Sequence, residues 1–244
     1  MRADCCAGHR PHDGCDFVEA VSGLVYGLLR VLFNATGRLF FRYRVIGREH
    51  IPRTGGVLVA ANHASYLDIP FLACGIPRRV AFLGRHDLFP VPGLKWVLRR
   101  IAWIPIRLDR LDRKGFEAAI RLIEEGKVVA IYPEGGRTWD GALRPGKLGI
   151  GFLVASTGCP VVPAYLAGTR EVLPIGSKWI RLHPVRAIFG EPIDFTAASH
   201  RYTGKDLYRH VSRTVMSKIA ELGRVPPPDD SSTQDPAARP LNAE

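Results

Sequence analysis

Gly56-Val57-Leu58-Val59-Ala60-Ala61-Asn62-His63-Ala64-Ser65-Tyr66-Leu67-Asp68 is an apolar run that breaks into a cluster of polar and ionisable side chains. The run Gly56–Ala61 reads as a strand, so His63 stands at a strand end. Similar runs recur on either side: Tyr43–Gly47, Val80–Leu83, Ile101–Leu108, Val128–Tyr132, Val161–Tyr165 and Val185–Phe189. Between them lie helical patterns near Leu94–Arg100, Gly115–Glu125, Gly149–Thr157 and Lys205–Leu222. Such alternation predicts an α/β fold, one domain with a mostly parallel central sheet flanked by helices and with ligands at the strand ends.

The polar cluster has the residue types of a proton-transfer site. A histidine with a carboxylate five residues on can act as base and orienter, the carboxylate fixing the imidazole tautomer and stabilising the imidazolium. On an ideal helix the two residues point about 140° apart, so the pair requires a loop or a helix start between them. Pro70 supports that geometry, because proline favours the first turn of a helix. Taken alone, the spacing is weak, and Asp68 capping a helix with His63 satisfied in a loop is the better reading of it.

A second cluster, Tyr132-Pro133-Glu134-Gly135-Gly136-Arg137-Thr138, again follows an apolar strand, Val128–Tyr132. Its glycines permit positive φ and close backbone approach, and Arg137 offers a planar fork for phosphate oxygens. Arg144 and Lys147 follow, and the helix from Gly149 adds N-terminal amides that favour an anion. These residues read as a phosphate or carboxylate pocket, or as a tight turn with solvated charges. No G-x-x-x-x-G-K-S/T occurs, so this is not a P-loop.

Residues 17–34 place Phe17, Val21, Leu24, Val25, Leu28 and Leu32 on one helical stripe, opposite Glu19, Gly23, Tyr26, Gly27, Arg30 and Asn34. The apolar run Ala20–Leu29 stops at Arg30, short of the roughly 20 residues a transmembrane span needs. An amphipathic helix lying in the membrane interface is the expectation, with a helix packed on its own domain as the alternative. Arg38-Leu39-Phe40-Phe41-Arg42-Tyr43-Arg44 mixes cations with aromatics, a composition suited to the headgroups of an anionic membrane.

The formal charge of +11 attracts polyanions. No RNP motif, zinc-finger spacing or long basic block points to nucleic acid, which leaves lipid and phosphate. The five cysteines are an odd number, with Cys74 and Cys159 in apolar surroundings, as expected of a reduced compartment. Cys5, Cys6 and Cys15 lie near His9 and His12, ligand types for a small metal site, although no zinc spacing is matched and a mobile tail is the alternative. Acidic Asp4, Asp13 and Asp16 precede the apolar segment where a secretory signal carries a basic region, so the cytoplasmic side is expected.

In this order, the motifs resemble those of the 1-acyl-sn-glycerol-3-phosphate acyltransferase (lysophosphatidic acid acyltransferase) family. That family carries N-H-x4-D, an arginine-bearing strand, F/Y-P-E-G-x-R-S/T and V-x-P. Here they read as Asn62–Asp68, the Ile104-Pro105-Ile106 strand, Tyr132–Thr138 and Val161-Val162-Pro163. The resemblance covers about Gly47 to Gly190. It implies that His63 is the general base and Asp68 its partner, and that Glu134, Gly135, Arg137 and Lys147 help form the acceptor-phosphate and catalytic pocket. Leu108 stands where the family has arginine in its second motif, and Arg107 or Arg110 is expected to supply that cation. Arg85 stands where relatives often carry lysine.

The resemblance further implies transfer of a fatty acyl group from an acyl thioester, on coenzyme A or acyl carrier protein, to the hydroxyl of 1-acyl-sn-glycerol 3-phosphate. No metal or other cofactor is expected, and the partners are a lysophospholipid and an anionic membrane surface rather than nucleic acid. Without G-x-S-x-G no acyl-enzyme on Ser65 is expected. The alternatives are an acyltransferase for another lipid hydroxyl, such as an acylated amino acid or glycolipid, and a non-catalytic anionic-lipid-binding protein. The chain is expected to divide into a mobile tail (1–15), a membrane-associating helix (16–40), the acyltransferase domain (41–224) and a disordered tail (225–244). It is expected to sit monotopically or peripherally on the cytoplasmic face of the cell membrane.

Overall fold

A computed structural model describes residues 13–85, 103–106 and 113–229. The elements run α1 (Asp13–Phe41), β1 (Arg44–Ile46), β2 (Val57–Ala61), α2 (Asp68–Gly75), β3 (Val80–Arg85), β4 (Trp103–Ile106) and α3 (Arg113–Glu124). They continue with β5 (Val128–Ile131), α4 (Gly149–Thr157), β6 (Val161–Ala167), α5 (Thr169–Val172), β7 (Arg186–Phe189), α6 (Thr196–Ser199) and α7 (Gly204–Gly223). The strands form one sheet in the order β1-β7-β6-β2-β5-β3-β4. Strands β6, β2, β5, β3 and β4 are mutually parallel, whereas β7 runs antiparallel to β6 and carries β1 parallel to itself.

Strand β2 is central and buried at all five positions, which is why it reads as a continuous apolar run rather than an alternation. Leu58 and Ala60 face a cluster completed by Ile123 of α3, Leu153 of α4 and Val211 of α7. Val57, Val59 and Ala61 face the other side, with Phe71 and Leu72 of α2 and Phe189 of β7. The connection leaving β2 therefore crosses one face of the sheet through α2, and that leaving β5 crosses the opposite face through α4. Neighbouring parallel strands whose connections part in this way leave a crevice at their carboxyl ends.

Helix α1 runs from Asp13 to Phe41, beyond both ends of the expected 17–34 segment and into the expected mobile tail. It docks through Phe33 and Phe41, whose rings meet the fully buried Phe71 edge-on at 5.2 and 5.8 Å. Tyr43 completes that cluster and donates its hydroxyl to the Phe71 carbonyl at 2.6 Å. Tyr26 on the same helix face is buried, while Leu28, Val31, Leu32 and Leu39 on the opposite face are exposed. The side with Tyr26 and Arg30 thus packs on the domain, as the alternative expects, and Leu28 and Leu32 of the aliphatic stripe turn outward.

Cys74 and Cys159 are buried free thiols, and burial raises both, Cys74 to about 11. The expected helix Leu94–Arg100, the flanks of the expected strand Ile101–Leu108, residues 230–244 and the metal-ligand types of the first twelve residues lie outside the described residues. Among the described residues no cluster of His, Cys, Asp and Glu could hold a metal ion.

Candidate active site

The chain leaves β2 through Asn62, whose side-chain amide takes the place of one more backbone pair. Its Oδ1 accepts from the Leu166 amide at 2.7 Å and its Nδ2 donates to the Leu166 carbonyl at 3.2 Å. Pinning β2 to β6 past the last strand residue fixes where the next residue, His63, leaves the sheet. The His63 backbone is then clamped to the exit of neighbouring β5. Its N–H donates to Glu134 Oε1 at 2.9 Å, and its carbonyl accepts from the Thr138 amide at 3.0 Å.

Asp68 opens α2 and is fully buried. Its Oδ2 accepts from His63 Nδ1 at 2.8 Å and from the amides of Ala64 and Ser65 at 2.7 and 2.8 Å. The loop 64–67 thus wraps the carboxylate at a helix N-terminus, a place that favours negative charge. The two residues meet because five positions of loop and helix start separate them, not a continuous helix. With Nδ1–H donating to the carboxylate, the neutral imidazole carries its lone pair on Nε2. The Tyr132 ring stacks on the imidazole at 4.0 Å and 14° and holds its plane. Burial, followed by the Asp68 charge, pushes the Tyr132 hydroxyl well up, so it is a neutral phenol.

Glu134 plays a part its motif does not suggest. Its carboxylate bridges two backbone amides, His63 on Oε1 and Arg144 on Oε2, both at 2.9 Å. It therefore fastens the histidine loop to the 140s loop. Burial raises it to about 7, against the opposing pull of those two amides. Gly135 follows at φ 74, and a Cβ there would come within 2.6 Å of Lys147 Cε. Only a glycine satisfies both demands, and it lets the Lys147 stem lie across the turn. Arg137 is half-buried with its guanidinium 3.6 Å from the centre of the Tyr66 ring, a cation–π contact that aims the fork without neutralising it.

These groups surround a cavity of about 340 Å³. His63, Gly135, Arg137 and Lys147 line its polar side, and Ile69, Leu83, Phe116, Ile131 and Ile150 its apolar side. An apolar pocket with a few convergent polar groups suits an amphiphile with an anionic head. Of the expected site residues, these four reach the cavity, and Asp68 and Glu134 stand behind it as supports. Arg107 and Arg110 lie outside the described residues.

Sequence reasoning did not single out Tyr132, Tyr66 or Asn62 as working side chains. The available signal was their position, since each lies within two residues of His63, Glu134 or Asp68. Trp139, also on the cavity wall, directly follows the Tyr132–Thr138 cluster.

The Acyltransferase family model matches residues 42–167. A chloroplastic 1-acyl-sn-glycerol-3-phosphate acyltransferase of Brassica napus is 32% identical over 160 residues, which are 63% of this chain and 46% of that protein. The chain thus spans less than half the length of that relative. The 1-acyl-sn-glycerol-3-phosphate acyltransferase of Bacillus subtilis is 24% identical over 195 residues, 80% of this chain and 92% of that one. The crystal structure of the 1-acyl-sn-glycerophosphate (LPA) acyltransferase PlsC from Thermotoga maritima superposes with a TM-score of 0.68 at 26% identity, covering 84% of this chain and 82% of that chain.

Proposed function

The chain belongs to the acyltransferase family, and on that premise we propose that it moves a fatty acyl group from an acyl thioester to the free hydroxyl of 1-acyl-sn-glycerol 3-phosphate. The product is phosphatidic acid, and the place of the reaction is phospholipid biosynthesis. The observation that carries this reading is the His63–Asp68 pair at 2.8 Å on the wall of a half-apolar cavity that also presents Arg137 and Lys147.

The chemistry balances without an intermediate on the protein. His63 Nε2 takes the proton of the acceptor hydroxyl as that oxygen attacks the thioester carbonyl. The new C–O bond forms, the C–S bond breaks, and the leaving thiolate recovers the proton from the imidazolium. Asp68 stabilises the imidazolium in between, while the Tyr132 stack and the Glu134 clamp keep the ring in place. Arg137 and Lys147 hold the acceptor phosphate. Positioning of this kind can supply roughly 7–11 kcal/mol of barrier reduction. The donor is a coenzyme A or carrier-protein thioester, a co-substrate rather than a resident cofactor.

We place the protein peripherally or monotopically on the cytoplasmic face of a membrane. Among the described residues no helix is long and apolar enough to cross one, and α1 leaves Leu28, Val31, Leu32 and Leu39 outward. That stripe suits the headgroup–acyl boundary of an anionic bilayer. The test is a panel of acceptors given to the purified protein with an acyl thioester: lysophosphatidate, lysophosphatidylcholine, an N-acylated amino acid and a glycolipid. Preferential acylation of lysophosphatidate supports the reading, and preference for an acceptor without a phosphomonoester contradicts it.

A further inference from the structure

Past the end of β6 the chain runs Lys178-Trp179-Ile180-Arg181-Leu182-His183-Pro184 with every side chain exposed. Trp179 is 82% exposed, Leu182 73% and Ile180 59%. Large apolar side chains displayed together on a soluble surface mark a contact site. The segment is built to display them. Ser177 Oγ donates to the Trp179 carbonyl at 3.0 Å and accepts its amide at 3.2 Å, and the Arg181 amide donates to Val172 at 2.8 Å. The Trp179 amide and carbonyl and the Arg181 amide are thereby satisfied while the side chains stay exposed.

Its placement says what it meets. At one end Ile175 lines the cavity beside Trp139, which is 65% exposed and whose carbonyl accepts from Arg170 Nε at 3.1 Å. At the other end the Val185 amide donates to the carbonyl of Phe41, the last residue of α1, at 2.9 Å. The segment therefore joins the rim of the cavity to the end of α1 that exposes Leu39 and Phe40. The charges are one-sided: Arg170, Lys178, Arg181 and Arg186 stand against Glu171 alone. Indole, aliphatic and long cationic side chains together match the headgroup layer of an anionic bilayer, where rings sit at the boundary and Lys and Arg stems extend to phosphates.

We propose that residues 178–182 are a second membrane contact, inserted in the headgroup layer beside α1, so that the cavity mouth rests on the lipid surface. This rests on the membrane-borne acceptor proposed above.

The test uses the full chain and vesicles of phosphatidylglycerol and phosphatidylcholine with brominated acyl chains, without donor or acceptor. Wild-type tryptophan emission is quenched on binding, and Trp179→Phe removes most of that added quenching. Ile180→Asp combined with Leu182→Asp weakens vesicle binding about tenfold or more, with residual binding through α1. Acylation of a short-chain, water-soluble lysophosphatidate stays within twofold of wild type in the same variant, which separates failure of the contact from failure of the proposed reaction. Quenching unchanged in Trp179→Phe, or vesicle affinity unchanged in the double variant, overturns the proposal. So does a lipid-free dimer that Trp179→Asp dissolves in a protein whose tryptophans show no quenching by vesicles, because the face is then an interface between copies.

Discussion

Asp68→Asn separates the charge of Asp68 from its structural bonds. In the native site Oδ2 alone receives His63 Nδ1 and the amides of Ala64 and Ser65, while Oδ1 is buried with no hydrogen-bond partner among the described residues. An asparagine with its oxygen at the Oδ2 position keeps all three bonds and loses the charge. Its NH2 then occupies the Oδ1 position as an unpaired buried donor, costing about 1–3 kcal/mol of stability. The catalytic cost is larger. Imidazolium and carboxylate centres about 4 Å apart attract by about 4 kcal/mol at an effective dielectric of 20, and that attraction exists only once His63 has taken the proton. Its loss lowers the acyl-transfer rate roughly a thousandfold. The assay is single-turnover acylation of lysophosphatidate, run beside urea unfolding of the same preparations. A folded Asp68→Asn protein retaining more than a tenth of the wild-type rate refutes the role given to the carboxylate. Asp68→Ala, which strips the acceptor from two buried amides as well, is expected to unfold at lower urea than Asp68→Asn.

Glu134→Gln places an amide NH2 against one of two backbone donors, His63 or Arg144, and loses about 1–3 kcal/mol at acid pH. Because the folded-state value of about 7 lies above that of the unfolded chain, the wild-type contribution is full below about pH 4 and is lost as pH rises through 7. The stability gap between wild type and variant in urea therefore narrows by up to about 3 kcal/mol between pH 4 and 7.5; a gap that widens contradicts the raised value. Arg137→Ala raises KM for lysophosphatidate at least about tenfold with a smaller change in kcat, the loss of one charge-assisted phosphate contact, as steady-state kinetics will read. Gly135→Ala meets both a positive φ and the Lys147 side chain, so it lowers stability by about 1–3 kcal/mol and weakens acceptor use; an unchanged melting curve would show that the turn relaxes freely.

The central strands were legible because burial on both faces writes itself as an unbroken apolar run, as at β2 and β5. The edge was not. Strand β1 is only Arg-Val-Ile, half exposed, and nothing in three residues reveals that it pairs with β7 or that the two run against the other five. Helix α2, Asp-Ile-Pro-Phe-Leu-Ala-Cys-Gly, is apolar nearly all round, so it lacks the periodicity that marks a helix. In α1 the described part of the periodic stripe, Leu28 and Leu32, faces outward. The docking face is made by a few aromatics around Phe71 that no amphipathic pattern announces.

At the site, the residue types allowed a base at His63 and Asp68 and an anion pocket at Arg137 and Lys147, and the resemblance to the acyltransferase family implied that the two share one pocket. The work of Glu134 was hidden, since a carboxylate bonded to backbone amides looks in sequence like one facing a ligand. The stacks of Tyr132 on His63 and Tyr66 under Arg137 depend on loop geometry rather than on spacing.

The most direct test of the account is mass spectrometry of the lipids formed when purified protein meets lysophosphatidate and an acyl thioester, wild type beside His63→Ala. Phosphatidate with stoichiometric free thiol from wild type, and none above background from a folded His63→Ala protein, is the expected result. Undiminished phosphatidate from the variant would contradict the assignment of His63 as the base.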